Sequence, residues 1–127
     1  MPRHSIAPQF LRYGAAGLFG TTTHYCVLGA LARGAGVGLI AASTTGAIAG
    51  AWVNYGLNYR YTFASRRPHR RALGAFWCVA VAGWALNAAL LAVLCHDGRL
   101  SAIPAQLVAS AVVLAAGFLV NRAWTFQ

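Results

Sequence analysis

The chain has 127 residues, of which 59% are hydrophobic and only 9% are charged, and its mean hydropathy is +0.59. All ten cationic side chains are arginines, and Asp97 is the single acidic residue. A soluble domain is about 25% charged, and a small chain exposes much of its surface. The composition therefore argues against a water-soluble globule and excludes an enzyme that needs two carboxylates. We predict an integral membrane protein.

Four apolar stretches are each long enough for a membrane-spanning helix, which needs roughly 20 residues. They extend over about residues 10–31, 37–57, 73–94 and 102–120. Short connections join the first to the second and the third to the fourth, as in antiparallel helical hairpins. A longer basic loop, residues 60–71, joins the two hairpins. The predicted fold class is all-α: an integral membrane four-helix bundle forming a single transmembrane domain, residues 1–127.

The arginines are distributed unevenly between the two sides of this arrangement. Eight lie on one side: Arg3, Arg12, Arg60, Arg66, Arg67, Arg70, Arg71 and Arg122. Arg33 and Arg99 lie on the other. Because basic residues concentrate on the cytoplasmic side, both termini and the basic loop are predicted to be cytoplasmic. The loop is expected to set orientation and to meet anionic lipid headgroups, with direct ligand contact as the alternative. No nucleic-acid partner is expected.

The second and fourth stretches end in similar segments. Residues 58–63 read N-Y-R-Y-T-F and residues 121–126 read N-R-A-W-T-F, so Asn, an aromatic residue, Thr and Phe match at an offset of 63. The starts of the first and third stretches align at an offset of 66, which matches Gly17 with Gly83 and Thr21 with Asn87. We predict two parallel-repeat hairpins, about residues 10–63 and 73–126, related by an axis along the membrane normal.

Polar side chains at the ends of these helices are candidates for binding a phosphate or lipid headgroup. The candidates are Arg12, Asn58, Arg60, Asn121 and Arg122. Guanidinium groups bind phosphate oxygens bidentately. The alternative is that each Asn caps its helix and each aromatic residue sits at headgroup level. Arg60 and Arg122 differ by one position when the two repeats are aligned, so they would point about 100° apart around a regular helix. This difference argues against a symmetric clamp formed by the two arginines.

A stripe of small and polar residues recurs every four positions in the second stretch. It consists of Gly46, Gly50, Asn54 and Asn58. Small residues at this spacing favour close helix packing in lipid. A ligand-facing groove, with Asn54 contributing, is the alternative.

Further polar residues lie within the apolar stretches, where they must face the protein or a wet cavity. Thr21, His24, Asn54 and Asn87 are predicted to line a path for a sugar-sized headgroup. For His24 the alternative is a neutral side chain hydrogen-bonded to a neighbouring helix.

Motifs of catalysis are missing from the sequence. We find no metal-ligand cluster, nucleophile motif or acid–base pair, so no enzyme, catalytic residue, metal site or cofactor is expected. No Walker-type phosphate loop is present, so ATP hydrolysis is not expected. The three cysteines, Cys26, Cys78 and Cys95, are interpreted as small apolar packing residues.

The segment F-L-R-Y-G-x-x-G at residues 10–17, the four stretches and the paired Asn–aromatic–Thr–Phe endings resemble the GtrA-like membrane proteins. The resemblance covers about residues 10–126. It implies a bacterial inner-membrane protein that flips a polyprenyl-phosphate-linked monosaccharide to the outer leaflet. This sugar serves cell-envelope polysaccharide or lipopolysaccharide glycosylation. The implied partners are that lipid-linked sugar, membrane lipids and a membrane glycosyltransferase.

Two other functions stay open at this stage. The protein could be a scaffold that recruits a glycosyltransferase and moves nothing itself. It could also be a small-molecule exporter similar to the small multidrug-resistance transporters, although those need a membrane carboxylate and a basic rim repels cations. Four short helices enclose little space, so a homo-oligomer is a geometric expectation.

Overall fold

The computed structural model describes residues 5–127, and Arg3, which contributed to the predicted orientation, lies outside this range. All regular structure in the described range is helical. The four long helices are α1 (Ile6–Gly29), α2 (Leu39–Leu57), α3 (His69–Leu94) and α4 (Ala102–Val120). The prediction of an all-helical chain with four helices is confirmed. The bundle and the cytoplasmic termini stay predictions.

The chain divides into two units, the first ending at Ser65 and the second being Arg66–Gln127. In the first unit α1 packs against α2, and in the second α3 packs against α4. Each unit is therefore a helical hairpin. Short connections produce this pairing, because a link of only a few residues forces two consecutive helices to run antiparallel.

The two hairpins repeat at a uniform offset of 63 residues. Ile6 and His69 begin α1 and α3, and Leu39 and Ala102 begin α2 and α4. The offset of 66 predicted for α1 and α3 is therefore wrong. The sequence alignment matched similar residue types, whereas the register of a helix depends on which residues face its partner.

Two of the helices are long and apolar enough by themselves to cross a membrane. Within the described residues these are His69–Leu94 and Ala102–Thr125, and the most apolar window of the first is 0% buried. A core helix of a soluble protein would be mostly covered, so this exposure favours lipid as the surrounding medium. α1 and α2 contain more glycine and hydroxyl side chains than α3 and α4. Their membrane crossing stays a prediction.

The α1–α2 interface depends on glycine. A methyl group placed on Gly20 would lie 2.7 Å from the carbonyl oxygen of Gly50, and one on Gly46 would lie 2.5 Å from that of His24. The packing role predicted for Gly46 and Gly50 is therefore observed. In the second unit Val113 replaces Gly50, and a methyl group on Gly83 would meet only its Cγ1 atom, at 3.3 Å. The first hairpin is thus the one with backbone-to-backbone contact.

We expect Gly50→Ala to destabilise the protein by about 1–3 kcal/mol, because the added methyl group forces α1 and α2 apart. Gly56→Ala is the matched control on α2, since nothing lies within 4 Å of its added methyl group. The control should be neutral or stabilising by up to about 1 kcal/mol. Unfolding in mixed detergent micelles measures both, and equal stability of the two variants would refute the packing argument.

Three helices continue into a π-helical turn among the described residues: Ala30–Gly34, Asn58–Thr62 and Asn121–Thr125. In each turn a backbone N–H donates to the carbonyl oxygen of the residue five positions earlier. The N–H of Phe63 donates to the Asn58 carbonyl at 2.9 Å, and that of Phe126 donates to the Asn121 carbonyl at 3.2 Å. Such turns are rare and often occur at functional sites. Here they widen the last turn of α2 and of α4.

A residue with positive φ ends two of these turns. Gly36 (φ +65°) follows the first, and Ala64 (φ +46°) occupies the same place after the second. The next N–H then bonds back into the turn, from Val37 to Leu31 at 2.9 Å and from Ser65 to Tyr59 at 2.8 Å. Glycine adopts this conformation freely, whereas the Cβ of alanine crowds the adjacent carbonyl.

Ala64→Gly should therefore stabilise the protein by up to about 1 kcal/mol through relief of backbone strain. Gly36→Ala should destabilise it by a similar amount, because it introduces the same strain at the equivalent place. Thermal unfolding in detergent, followed by circular dichroism, measures both changes. Opposite signs confirm the interpretation, and a destabilising Ala64→Gly contradicts it.

Candidate functional site

Both hairpins end in a buried polar turn of the same geometry. We call Asn58–Thr62 the first polar turn and Asn121–Thr125 the second polar turn. Each begins with a buried asparagine and ends with a buried threonine. These four residues are the buried polar residues of the described chain, with exposures of 0–5%. Each turn places amide and hydroxyl groups in the interior of its own hairpin, next to an arginine of the same turn.

The first polar turn is tied to the helices of its own hairpin. The Nδ2 of Asn58 donates a hydrogen bond to Oδ1 of Asn54 at 2.7 Å. The Nε2 of Gln9 on α1 donates to the Thr62 carbonyl at 3.2 Å. Arg60 is exposed, with its guanidinium 5.7 Å from the ring centre of Tyr61. The structure therefore pairs Asn58 with Asn54 in the interior and leaves Arg60 at the surface.

The second polar turn is held by an arginine from the basic loop. The Nη1 of Arg67 donates to the carbonyl oxygens of Trp124 and of Thr125, the latter at 3.1 Å. These carbonyls have no partner in the helix itself because they lie at its carboxyl end. The positive charge also complements the negative end of the helix dipole. Arg67 is thus a cap for α4.

Arg67 and Gln9 have equivalent roles, since Thr62 and Thr125 are 63 residues apart and each has its carbonyl capped by a side chain from outside the turn. The sequence analysis assigned Arg67 only to orientation and lipid contact. No local pattern pairs it with residues 57 and 58 positions further along the chain. This contact depends on the path of the loop, which composition does not reveal.

Three buried polar atoms at these turns have no hydrogen-bond partner among the described residues. They are Oδ1 of Asn58, Nη1 of Arg122 and Oγ1 of Thr125. A buried polar atom left unpaired costs about 1–3 kcal/mol, so most buried polar atoms in folded proteins are paired with the protein, with water or with a ligand. The guanidinium nitrogen is a donor that suits an anion. The amide oxygen is an acceptor that suits a hydroxyl or N–H group.

A polar pair also links the two helices within each hairpin. The Nε2 of His24 lies 3.4 Å from Oγ of Ser43, and Nε2 of Gln106 donates to Oδ1 of Asn87 at 3.0 Å. The two pairs are equivalent, because His24 and Asn87, like Ser43 and Gln106, are 63 residues apart. His24 is therefore bonded to the neighbouring helix, which the sequence analysis gave as its alternative. Ser43 and Gln106 were not identified from the sequence.

The remaining candidates are placed as follows. Thr21 and Arg12 are exposed on α1, Asn54 is half-buried against Gly20, and Asn121 is buried. The path of Thr21, His24, Asn54 and Asn87 stays a prediction because its members belong to two separately described units.

The packing role expected for the cysteines is wrong: Cys26, Cys78 and Cys95 are all exposed. In a lipid environment a thiol is apolar enough to lie on the outer surface.

Comparison with known families assigns the chain. The profile described as "GtrA/DPMS, transmembrane domain" matches residues 12–126. The chain therefore belongs to the GtrA/DPMS transmembrane-domain family, and the resemblance to GtrA-like proteins is confirmed. It is a membrane protein, and the family indicates a function related to sugar-linked lipids. No curated protein and no solved structure matches the chain.

The cap formed by Arg67 yields a prediction. Arg67→Ala should destabilise the end of α4 by about 1–3 kcal/mol, because the carbonyls of Trp124 and Thr125 lose a charged donor. The neighbouring and exposed Arg66 is the matched control, and Arg66→Ala should have little effect. Hydrogen exchange of the amides in the second polar turn, measured in nanodiscs, reports the local opening. Equal exchange rates in the two variants would show that the cap contributes nothing.

Proposed function

We propose that the protein flips a polyprenyl-phosphate-linked monosaccharide across the bacterial inner membrane for the glycosylation of cell-envelope polysaccharide or lipopolysaccharide. The family supports this proposal at the level of sugar–lipid function in a membrane. The substrate has three chemically distinct parts: an anionic phosphate, a polar sugar and a long apolar tail. Each part needs its own kind of surface.

The observation that carries the proposal is the buried Nη1 of Arg122, which has no acceptor among the described residues. An unpaired guanidinium N–H inside a membrane protein is costly. A phosphate oxygen is the acceptor that this group binds best, because it matches both the charge and the forked geometry. Arg122 is therefore the residue that we assign to the phosphate.

The surroundings of Arg122 suit this role. The hydroxyl of Thr125 lies in the same turn, and its oxygen is also buried without a partner. Arg67 fixes the backbone of that turn through the carbonyls of Trp124 and Thr125. The carbonyl of Arg122 accepts a hydrogen bond from Nε2 of Gln127 at 2.8 Å. A turn fixed in this way loses little conformational entropy when it binds an anion.

The rest of the substrate can be accommodated without covalent chemistry. The polyprenyl tail can stay in lipid beside the exposed apolar faces of the helices. The interhelical pairs of His24 with Ser43 and of Gln106 with Asn87 offer polar groups at membrane depth, where a sugar would otherwise lack partners. A membrane glycosyltransferase would then use the flipped lipid.

Purified protein in vesicles should flip a fluorescent polyprenyl-phosphate sugar. We expect Arg122→Ala to slow flipping by about 10- to 100-fold, the effect of losing a hydrogen bond to a charged group. Arg60→Ala should slow it less, because this side chain is exposed to screening. Arg122→Lys should recover only part of the rate, since an ammonium lacks the fork.

Arg99→Ala, in the exposed connection between α3 and α4, is the matched control and should leave the rate unchanged. Full transport by both the Arg122→Ala variant and the Arg60→Ala, Arg122→Ala double variant would contradict the phosphate assignment. No flipping by the purified wild-type protein, combined with stimulation of a glycosyltransferase, would instead identify a scaffold. Resistance to cationic drugs conferred by the protein would identify an exporter.

A further inference from the structure

One side of α4 is exposed over three helical turns. Its residues follow one another at spacings of four, three and four, the pattern with which two helices pack along each other. We call them the α4 stripe: Ile103, Leu107, Ser110 and Leu114, all of them exposed. The buried Ala105 and Ala109 lie about 150° around the helix from this stripe. The stripe is therefore turned away from the side on which α4 is packed.

An amide group lies beside the α4 stripe. Gln106 is exposed, and its Nε2 donates to Oδ1 of Asn87 at 3.0 Å and to Oγ of Ser110 at 2.9 Å. A side-chain amide has two N–H donors and a carbonyl oxygen that accepts twice. Whichever way the amides of Gln106 and Asn87 are turned, one bond between them leaves the pair with further donors and a further acceptor. The pair is therefore not satisfied within its own hairpin.

These polar groups lie at membrane depth. Ser110 is eight residues, or about 12 Å, along the axis of α4 from Ala102, and Gln106 is one turn before it. Hydrocarbon offers neither a donor nor an acceptor, so a lipid-facing amide is costly. The lipid-linked sugar of the proposed function satisfies such groups only while it is bound. The resting protein therefore needs a lasting partner on this face.

The first hairpin does not have the same need. At the offset of 63 residues, Thr44 stands where Leu107 does, and Ala47 stands where Ser110 does. The Thr44 hydroxyl donates to the Ile40 carbonyl of its own helix at 2.8 Å. Ser43, at the place of Gln106, has a single hydroxyl, which lies 3.4 Å from the ring of His24. The exposed amide next to an apolar stripe is thus a property of α4.

We propose that the α4 stripe is the surface through which two copies of this chain pair in the membrane, with the Gln106 amides hydrogen-bonding across the contact. A two-fold interface must be complementary to itself, and an amide, being both donor and acceptor, meets this condition. Polar side chains also hold helices together in lipid. The inference goes beyond the proposed function, because pairing does not require that any lipid is moved. It gives the expected homo-oligomer a defined surface.

A cross-linking experiment tests the surface. Two copies with the same membrane orientation are related by an axis along the membrane normal, so each residue of the stripe meets its own equivalent. Leu107→Cys is introduced after Cys26, Cys78 and Cys95 have been changed to alanine. In vesicles that contain the purified protein alone, mild oxidation should convert most of this variant to a disulfide-linked dimer, seen on a non-reducing gel.

Val108→Cys in the same background is the matched control. Val108 is 44% exposed and has the same depth, but it lies about 100° further around the helix. It should give little dimer, because its Cα atoms in the two copies are too far apart for a disulfide. Equal cross-linking at the two positions, or none at Leu107→Cys, would overturn the inference.

A second measurement tests the amide. Energy transfer between labelled copies, followed as the protein is diluted with lipid, gives the dissociation constant of the dimer. Gln106→Leu should raise it about three- to thirtyfold, the range for one polar contact between membrane helices. Thr44→Val, on the equivalent face of the first hairpin, should leave it unchanged. An unchanged constant in Gln106→Leu contradicts the inference, and the cross-linking does not depend on the folding of this variant.

The other possible covers of the stripe are outcomes of the same experiments. A wild-type protein that stays monomeric at every dilution overturns the inference. If the Leu107→Cys thiol is then also closed to a lipid-soluble maleimide, the cover is the first hairpin of the same chain. Flipping of the lipid-linked sugar by such a monomer would leave the proposed function intact, so the two proposals can fail separately.

Discussion

Hydrocarbon offers no hydrogen-bond partner, so a chain that lies in a membrane must pair its polar groups internally. This protein meets that constraint along most of its length. Thr22, Thr23 and Thr44 bond to carbonyls of their own helices. Arg67 satisfies two carbonyls at the end of α4. The buried exceptions found among residues 5–127 gather in the two polar turns, which is why these turns are the part of the molecule that we connect with a ligand.

The repeat explains how such exceptions can arise without loss of the fold. Both hairpins have a second helix of 19 residues, the same π-helical ending and an external cap on the terminal threonine carbonyl. This shared frame supports each turn independently of the side chains that it displays. Gly50 in one half and Val113 in the other show that even the interhelical packing has diverged. The two turns therefore share one backbone geometry and differ in the side chains that they display.

Much of this architecture follows from the sequence. The small number of charged residues indicates a membrane protein. The four apolar stretches predict its helices, and the short connections predict which helices pair. The i+4 spacing of Asn54 and Asn58 and the matching ends of the two halves already indicated where polar groups cluster. These features are local, since they depend on residues within one or two helical turns.

The sequence did not reveal features that depend on the path of the chain in space. The widening of the last turn into a π-helix is a choice between backbone hydrogen bonds of similar energy, and residue type alone does not decide it. The capping by Arg67 depends on how the loop folds back. The offset of 66 for the first and third helices was wrong because glycine occurs at open and at interface positions alike: a methyl group on Gly17 would meet nothing within 4 Å, whereas one on Gly83 would meet Val113.

The central claim is that the unpaired nitrogen of Arg122 is the phosphate site of a lipid-linked sugar. The most direct measurement is an experimental structure of the protein in a nanodisc with a bound polyprenyl-phosphate monosaccharide. The account predicts a phosphate oxygen about 2.7–3.2 Å from Nη1 of Arg122. A phosphate bound away from the second polar turn, with Nη1 of Arg122 paired to the protein or to ordered water, would contradict it.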